Sequence, residues 1–178
     1  METIERIANV AIILAVAVFL AVVVRNQFFP TKVASPYPTS PYANMAKAGS
    51  TITLPGVHFS PQRESLVLGI STTCHFCQDS LPFYKKLTSK LQGRVNVIAV
   101  LPQDQAEAEA FVKKAGLVGT QVVSDNLGNI GVYGTPTLMI VNGKGKVQST
   151  WVGELTQDRQ KQLMAALLPN GATAVPRG

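Results

Sequence analysis

Between Leu66 and Leu91 the chain passes from an unbroken apolar run into a pair of cysteines and then into a helical period. Few folds accommodate that order. Leu66-Val67-Leu68-Gly69-Ile70 reads as a strand buried on both faces. Cys74-His75-Phe76-Cys77 follows at once and holds the only 2 cysteines of 178 residues. Beyond it, Cys77, Leu81, Tyr84, Leu87 and Leu91 recur at steps of three and four, the spacing of one helix face. Cys74 is thereby predicted at a helix N-terminus, where unpaired N–H groups and the helix dipole favour a thiolate over a thiol. Such surroundings lower a cysteine pKa from ~8.5 by up to several units. Cys77, one turn on, is spaced to close a small disulfide with it. The pair points first to a reversible dithiol/disulfide couple.

The elements around this junction alternate. Thr51-Ile52-Thr53-Leu54, stopped by Pro55-Gly56, is predicted as a short strand, and Val95 to Leu101 as a second buried one. Asp104 caps a helix with Glu107 three residues on, a capping-box pattern, and Gly116 ends it. Gln121 to Ser124 is a further strand. Thr137 to Val141 and Lys146 to Val152 flank Asn142-Gly143-Lys144-Gly145, a hairpin signal. Thr156 caps a last helix carrying Leu163, Met164, Leu167 and Leu168, stopped by Pro169. These units imply an α/β fold: a central mixed sheet covered on both faces and flanked by helices.

The N-terminus is of another kind. Ile7 to Val24 is an 18-residue apolar run broken only by Asn9. At ~1.5 Å per residue it nearly spans a ~30 Å hydrocarbon core, and it is apolar on every face, unlike a helix packed on a domain. A cleaved signal peptide has a shorter apolar region followed by a small-x-small site; here Arg25-Asn26-Gln27-Phe28-Phe29 follows. The expectation is an uncleaved transmembrane anchor over residues 1–25. Pro30, Pro36, Pro38 and Pro41 mark a Pro-rich linker over 26–50, and the folded domain occupies 51–178. Basic residues on the two flanks nearly balance, so the positive-inside rule does not orient the span. The net charge is +6, of which residues 51–178 carry +4 from 12 basic and 8 acidic residues. They form no basic-aromatic array, which argues against nucleic acid.

With these elements placed, the chain resembles the thioredoxin superfamily over Thr51 to Pro169, and more narrowly the bacterial membrane-anchored thioredoxin-like (redoxin-type) thiol–disulfide oxidoreductases. The features that carry it are C-x-x-C opening a helix, Pro82 five residues past Cys77, Gly134-Thr135-Pro136-Thr137 before an apolar strand, and the strand–turn–strand–glycine order of Leu138 to Gly153. The resemblance implies that Cys74 is the attacking thiol and Cys77 the buried resolving thiol. It also implies that Pro136 is cis beside the sulfurs, and that Thr135 offers its backbone to a substrate strand. His75 and Phe76, between the cysteines, are candidate tuning residues; a solvent-facing His75 without a role is the plainer alternative. The chain departs from the family at Leu68, where a buried acid is frequent, so the usual proton acceptor for Cys77 is missing.

The resemblance implies a membrane-tethered protein-disulfide reductase working outside the cytoplasm. It would be a single-pass inner-membrane protein whose domain faces the periplasm or cell exterior. Its partners would be protein disulfides or thiols and an upstream membrane electron donor, and no cofactor or metal is expected. Other chemistries fit worse. A c-type haem site needs histidine where Gln78 stands, and a structural zinc would have only His58 and His75 to join the cysteines. A peroxiredoxin-type thiol peroxidase would have proline and threonine where Val67 and Ser71 stand. A thioredoxin-fold binding module without turnover, of the kind that holds apo-cytochrome, stays open.

Overall fold

The computed structural model describes residues 46–168. The predicted membrane segment 7–24, most of the linker and the Pro169 stop lie outside the described residues. Among the described residues no helix is long and apolar enough to cross a membrane. The strands are β1 (Ser65–Gly69), β2 (Asn96–Leu101), β3 (Thr120–Ser124), β4 (Thr137–Val141) and β5 (Val147–Val152). The helices are α1 (His75–Asp79), α2 (Leu81–Leu91), α3 (Gln105–Ala115) and α4 (Gln157–Leu167), with a 3-10 turn at Leu127–Ile130.

One sheet runs in the order β3-β2-β1-β4-β5. β1, β2 and β3 are parallel, while β4 runs antiparallel to β1 and β5 antiparallel to β4. Parallel neighbours need a crossover, which is what the helices between β1 and β2 and between β2 and β3 provide. Antiparallel β4 and β5 need only a tight turn. Asn142 closes it: its Oδ1 accepts from the N–H of Lys144 at 2.9 Å and of Lys146 at 3.0 Å.

Strand alternation sorts the apolar side chains into two layers. Leu66 and Leu68 of β1, Val97, Ala99 and Leu101 of β2, and Leu138 and Ile140 of β4 face one layer. Val67, Ile98, Val100, Met139 and Val141 face the other. All four helices deliver their buried side chains to the first layer, among them Cys77, Tyr84, Leu87, Val112 and Leu163. The second layer is closed instead by Ala46, Ile52, Leu54, Ile130 and Val132. The sheet is covered on both faces, but helices cover only one of them. Two right-handed crossovers stepping in the same direction, β1 to β2 to β3, must put both connecting helices on the same side.

Two local expectations need correction. Thr51 to Leu54 is not a strand; it makes a single bridge, Thr51 to Lys146, although Ile52 and Leu54 are buried as the alternation predicts. The bridge is antiparallel, so the residues after Thr51 run off the start of β5 into the Asn142–Gly145 turn, where the Ile52 N–H meets Gly145 O at 2.9 Å and no ladder continues. The helix predicted from Cys74 is two helices meeting at Ser80. Pro82 has no N–H to give the Gln78 carbonyl. The Ser80 N–H takes Phe76 O at 3.2 Å, and the ladder resumes with Tyr84 N on Ser80 O at 3.0 Å.

Candidate active site

The cysteines sit beyond the C-terminal end of β1, at the centre of the sheet. Cys74 is the N-cap of α1, with extended backbone (φ −85°, ψ 114°), and its Sγ accepts the Cys77 N–H at 3.1 Å. The two sulfurs are joined in a disulfide. They differ in access: Cys77 is fully buried in the helix-covered layer, while Cys74 is half-buried at its edge. Only Cys74 is within reach of a protein-sized partner.

The loop before β4 supplies the other wall. Thr135–Pro136 is cis, as the resemblance implies, and Pro136 is buried. Thr135 O lies 3.4 Å from Cys74 Sγ, and the Thr135 N–H finds no partner among the described residues. Gly69 lets this loop approach, because a Cβ there would stand 3.1 Å from a Val132 methyl. Beside the loop lies an open cleft of about 560 Å³, whose lining includes Ser71, Pro102, Asn126, Tyr133, Gly134 and Thr135. Two large apolar side chains stand out of the surface here, Phe76 at 56% and Tyr133 at 52% exposure.

His75 faces solvent. Its Nε2 lies 3.2 Å from Asp79 Oδ2, one turn on, and neither ring nitrogen bonds a sulfur. A charge there would be offset by its own partner and screened by water. In the reduced His75→Ala protein, the ultraviolet titration of the Cys74 thiolate is therefore expected to match wild type within about 0.5 unit. A larger upward shift would make His75 a tuning residue.

Sequence reasoning passed over the polar residues that hold the β1–α1 loop. Gln103, after β2, donates from Nε2 to Ser71 Oγ at 3.0 Å and accepts the Thr72 N–H on Oε1 at 3.4 Å. Thr72 Oγ1 donates to Glu107 Oε1 at 2.7 Å, and Gln78 Nε2 donates to Thr72 O at 3.0 Å. The Asp104/Glu107 capping box is thus only half formed: Asp104 Oδ1 accepts the Glu107 N–H at 2.9 Å, but the Glu107 carboxylate goes to the cysteine loop. No local pattern marks Gln103, whose partners lie more than 30 positions away. Gln103→Leu is expected to cost about 1–2 kcal/mol, read as a lower Tm, with faster amide exchange at Thr72.

No protein-family model matches the sequence, and no curated protein matches it. Solved structures do. A protein assigned as thiol:disulfide interchange protein DsbE from Chlorobium tepidum superposes with a TM-score of 0.54 at 22% identity, covering 69% of this chain and 97% of the other. The solution structure of a protein assigned as a thioredoxin from Neisseria meningitidis gives 0.55 at 21% identity, covering 71% and 93%. The chain has the thioredoxin fold. A thiol-disulfide isomerase from Corynebacterium glutamicum shares it with a TM-score of 0.52 at 14% identity, over 70% of this chain and 94% of the other. Within a thioredoxin fold, the Cys74–Cys77 disulfide at the β1–α1 junction and the cis-Pro136 loop stand where the resemblance places them.

Proposed function

We propose that this protein is a thiol–disulfide oxidoreductase whose working groups are Cys74 and Cys77, and that it reduces protein disulfides. The observation that carries this is the asymmetry of the pair: one sulfur is half-exposed beside the Thr135 loop, whose main-chain N–H has no partner among the described residues, and the other is buried. In the reduced protein the Cys74 thiolate, held by the Cys77 N–H, attacks a substrate disulfide. A mixed disulfide forms and one substrate thiolate leaves. Cys77 then attacks the Cys74 sulfur, the second substrate sulfur leaves, and the intramolecular disulfide remains. The Thr135 N–H and the Phe76 and Tyr133 side chains fit an extended, partly apolar segment lying across Cys74.

Residues 7–24 are proposed to tether the domain to the inner membrane, with the Pro-rich linker as spacer and the domain in the periplasm or outside the cell. A membrane electron donor would then return the pair to the dithiol. Two measurements test this. Insulin reduction by the dithiol-supplied protein is expected, and its absence would leave a binding module. The reduction potential sets the direction: near roughly −270 mV supports a reductase, and near roughly −120 mV an oxidant.

A further inference from the structure

Once the Cys74–Cys77 bond opens, no covalent tie aims the Cys74 sulfur. Its direction then depends on the segment that joins β1 to α1. That segment leaves the sheet after the Ile70 N–H has met Val100 O at 3.1 Å. The Cys74 N–H then donates to Ser71 O at 3.2 Å, and Cys74 O accepts the Gln78 N–H at 3.2 Å. The Cys77 N–H points at Cys74 Sγ from 3.1 Å. A hydrogen bond to a charged acceptor favours the charged form, so this contact lowers the Cys74 pKa for as long as the backbone from Ser71 to Cys74 holds its place.

Side chains hold it there. Each polar group of Thr72 has a partner: its N–H meets Gln103 Oε1 at 3.4 Å, its hydroxyl donates to Glu107 Oε1 at 2.7 Å, and its carbonyl accepts from Gln78 Nε2 at 3.0 Å. Ser71 Oγ accepts from Gln103 Nε2 at 3.0 Å and lies 3.1 Å from Thr73 Oγ1. The Gln78 contact closes residues 72–78, with both cysteines, into a hydrogen-bonded ring. Gln103 and Glu107 fasten that ring to the end of β2 and the first turn of α3. Both anchors are themselves fixed: Gln103 O accepts the Ser124 hydroxyl at 2.6 Å, and Asp104 Oδ1 accepts the Glu107 N–H at 2.9 Å. In a complete capping box the Glu107 carboxylate would return to the Asp104 N–H. Here it serves the cysteine loop instead, and a local rule broken beside a reactive group is where function is expected to show.

We infer that Gln103 and Glu107 are positioning residues for the Cys74 thiolate, acting through Ser71 and Thr72. They keep Cys74 Sγ on the Cys77 N–H in the dithiol, when the disulfide no longer does. Other titratable groups reach this region from each neighbouring element. His75 and Asp79 of α1 pair with each other. Lys114 of α3 lines a cleft of about 370 Å³ with Thr72 and Gln78. Tyr133 comes from the loop before β4, and exposed Glu154 follows Gly153, whose N–H meets Pro136 O at 2.8 Å. None of these bonds the Ser71–Thr73 backbone, whereas Gln103 does.

The inference rests on the oxidoreductase reading, but its test needs no protein substrate. Reduced protein reacts with iodoacetamide between about pH 5 and 9, and mass spectrometry follows the first alkylation, which falls on half-exposed Cys74. Glu107→Ala is expected to move that rate profile about half a unit alkaline, with roughly threefold less thiolate below the midpoint. Gln103→Ala, which frees both Ser71 and Thr72, should move it about one unit, with roughly tenfold less. Glu107→Gln keeps an acceptor for the Thr72 hydroxyl and should stay with wild type. A carboxylate acting through its charge alone predicts the opposite sign, because removing a negative charge favours a nearby thiolate. An acid shift of Glu107→Ala, or any shift shared equally by Glu107→Ala and Glu107→Gln, therefore overturns the inference. So does a lower Tm with an unmoved profile, which leaves these contacts to folding alone. Glu107 is exposed, so its variants decide the matter even if Gln103→Ala folds poorly. Normal insulin reduction with unmoved profiles removes the positioning role and keeps the function; shifted profiles without insulin reduction do the reverse.

Discussion

In the Cys77→Ser protein, mixed disulfides between Cys74 and substrate proteins accumulate and turnover stops, whereas Cys74→Ser traps none. The expectation follows from access. Cys77 is sealed beneath the sheet-facing side of α1, so a substrate disulfide meets Cys74 first. Once the mixed disulfide forms, only the sulfur behind it can displace the substrate, and a serine hydroxyl cannot. Non-reducing gels of a pull-down, followed by mass spectrometry, read the outcome directly. Equal trapping by the two variants, or trapping by Cys74→Ser alone, would reverse the roles of attacker and resolver.

The second large effect concerns the strand beneath the cysteines. Leu68 is fully buried in the layer with Cys77 and Tyr84, at the position where the resemblance leads one to expect an acid. Leu68→Asp is expected to destabilise the protein by on the order of 4 kcal/mol at pH 7, from lost packing and a desolvated carboxylate. Its pH dependence has a definite sign. Burial raises the folded-state pKa of the new carboxyl above its unfolded value of ~3.9, so the charge penalty is absent in acid and appears as pH rises through the folded pKa. Thermal melts should therefore show the difference from wild type shrinking toward pH 4, leaving the packing loss. A deficit that does not change with pH would mean that the carboxylate reaches water.

Much of this architecture is written locally. The β1 run, the helical stripe through Cys77, Tyr84 and Leu87, the Asp104 cap, the Gly116 stop and the Asn142 turn each depend on residues within a few positions. Backbone sterics and short-range hydrogen bonds set them. The 3-10 turn at Leu127–Ile130, capped by Asn126 Oδ1 accepting the Gly128 N–H at 2.8 Å, spans four residues and is too short to leave a period in the sequence. The strand expected at Thr51 failed for the opposite reason. Its alternation reports burial correctly, but burial does not require a ladder partner.

By itself the sequence determined that two cysteines, and no others, stand where a buried strand turns into a helix. Spacing and capping are properties of adjacent residues. Tertiary structure decided everything that depends on which surfaces meet. It brought Thr135 O to 3.4 Å from a sulfur 61 positions away, sent Glu107 to Thr72, and placed the four α-helices among the described residues on one face of the sheet. It also buried the Tyr84 side chain, which reads in sequence as one more apolar position of the stripe, in the same layer as Cys77. The hydrophobic effect that drives those meetings is non-directional. The pattern shows which face must be buried; only chain closure selects what buries it, and so which polar atoms come together at the disulfide.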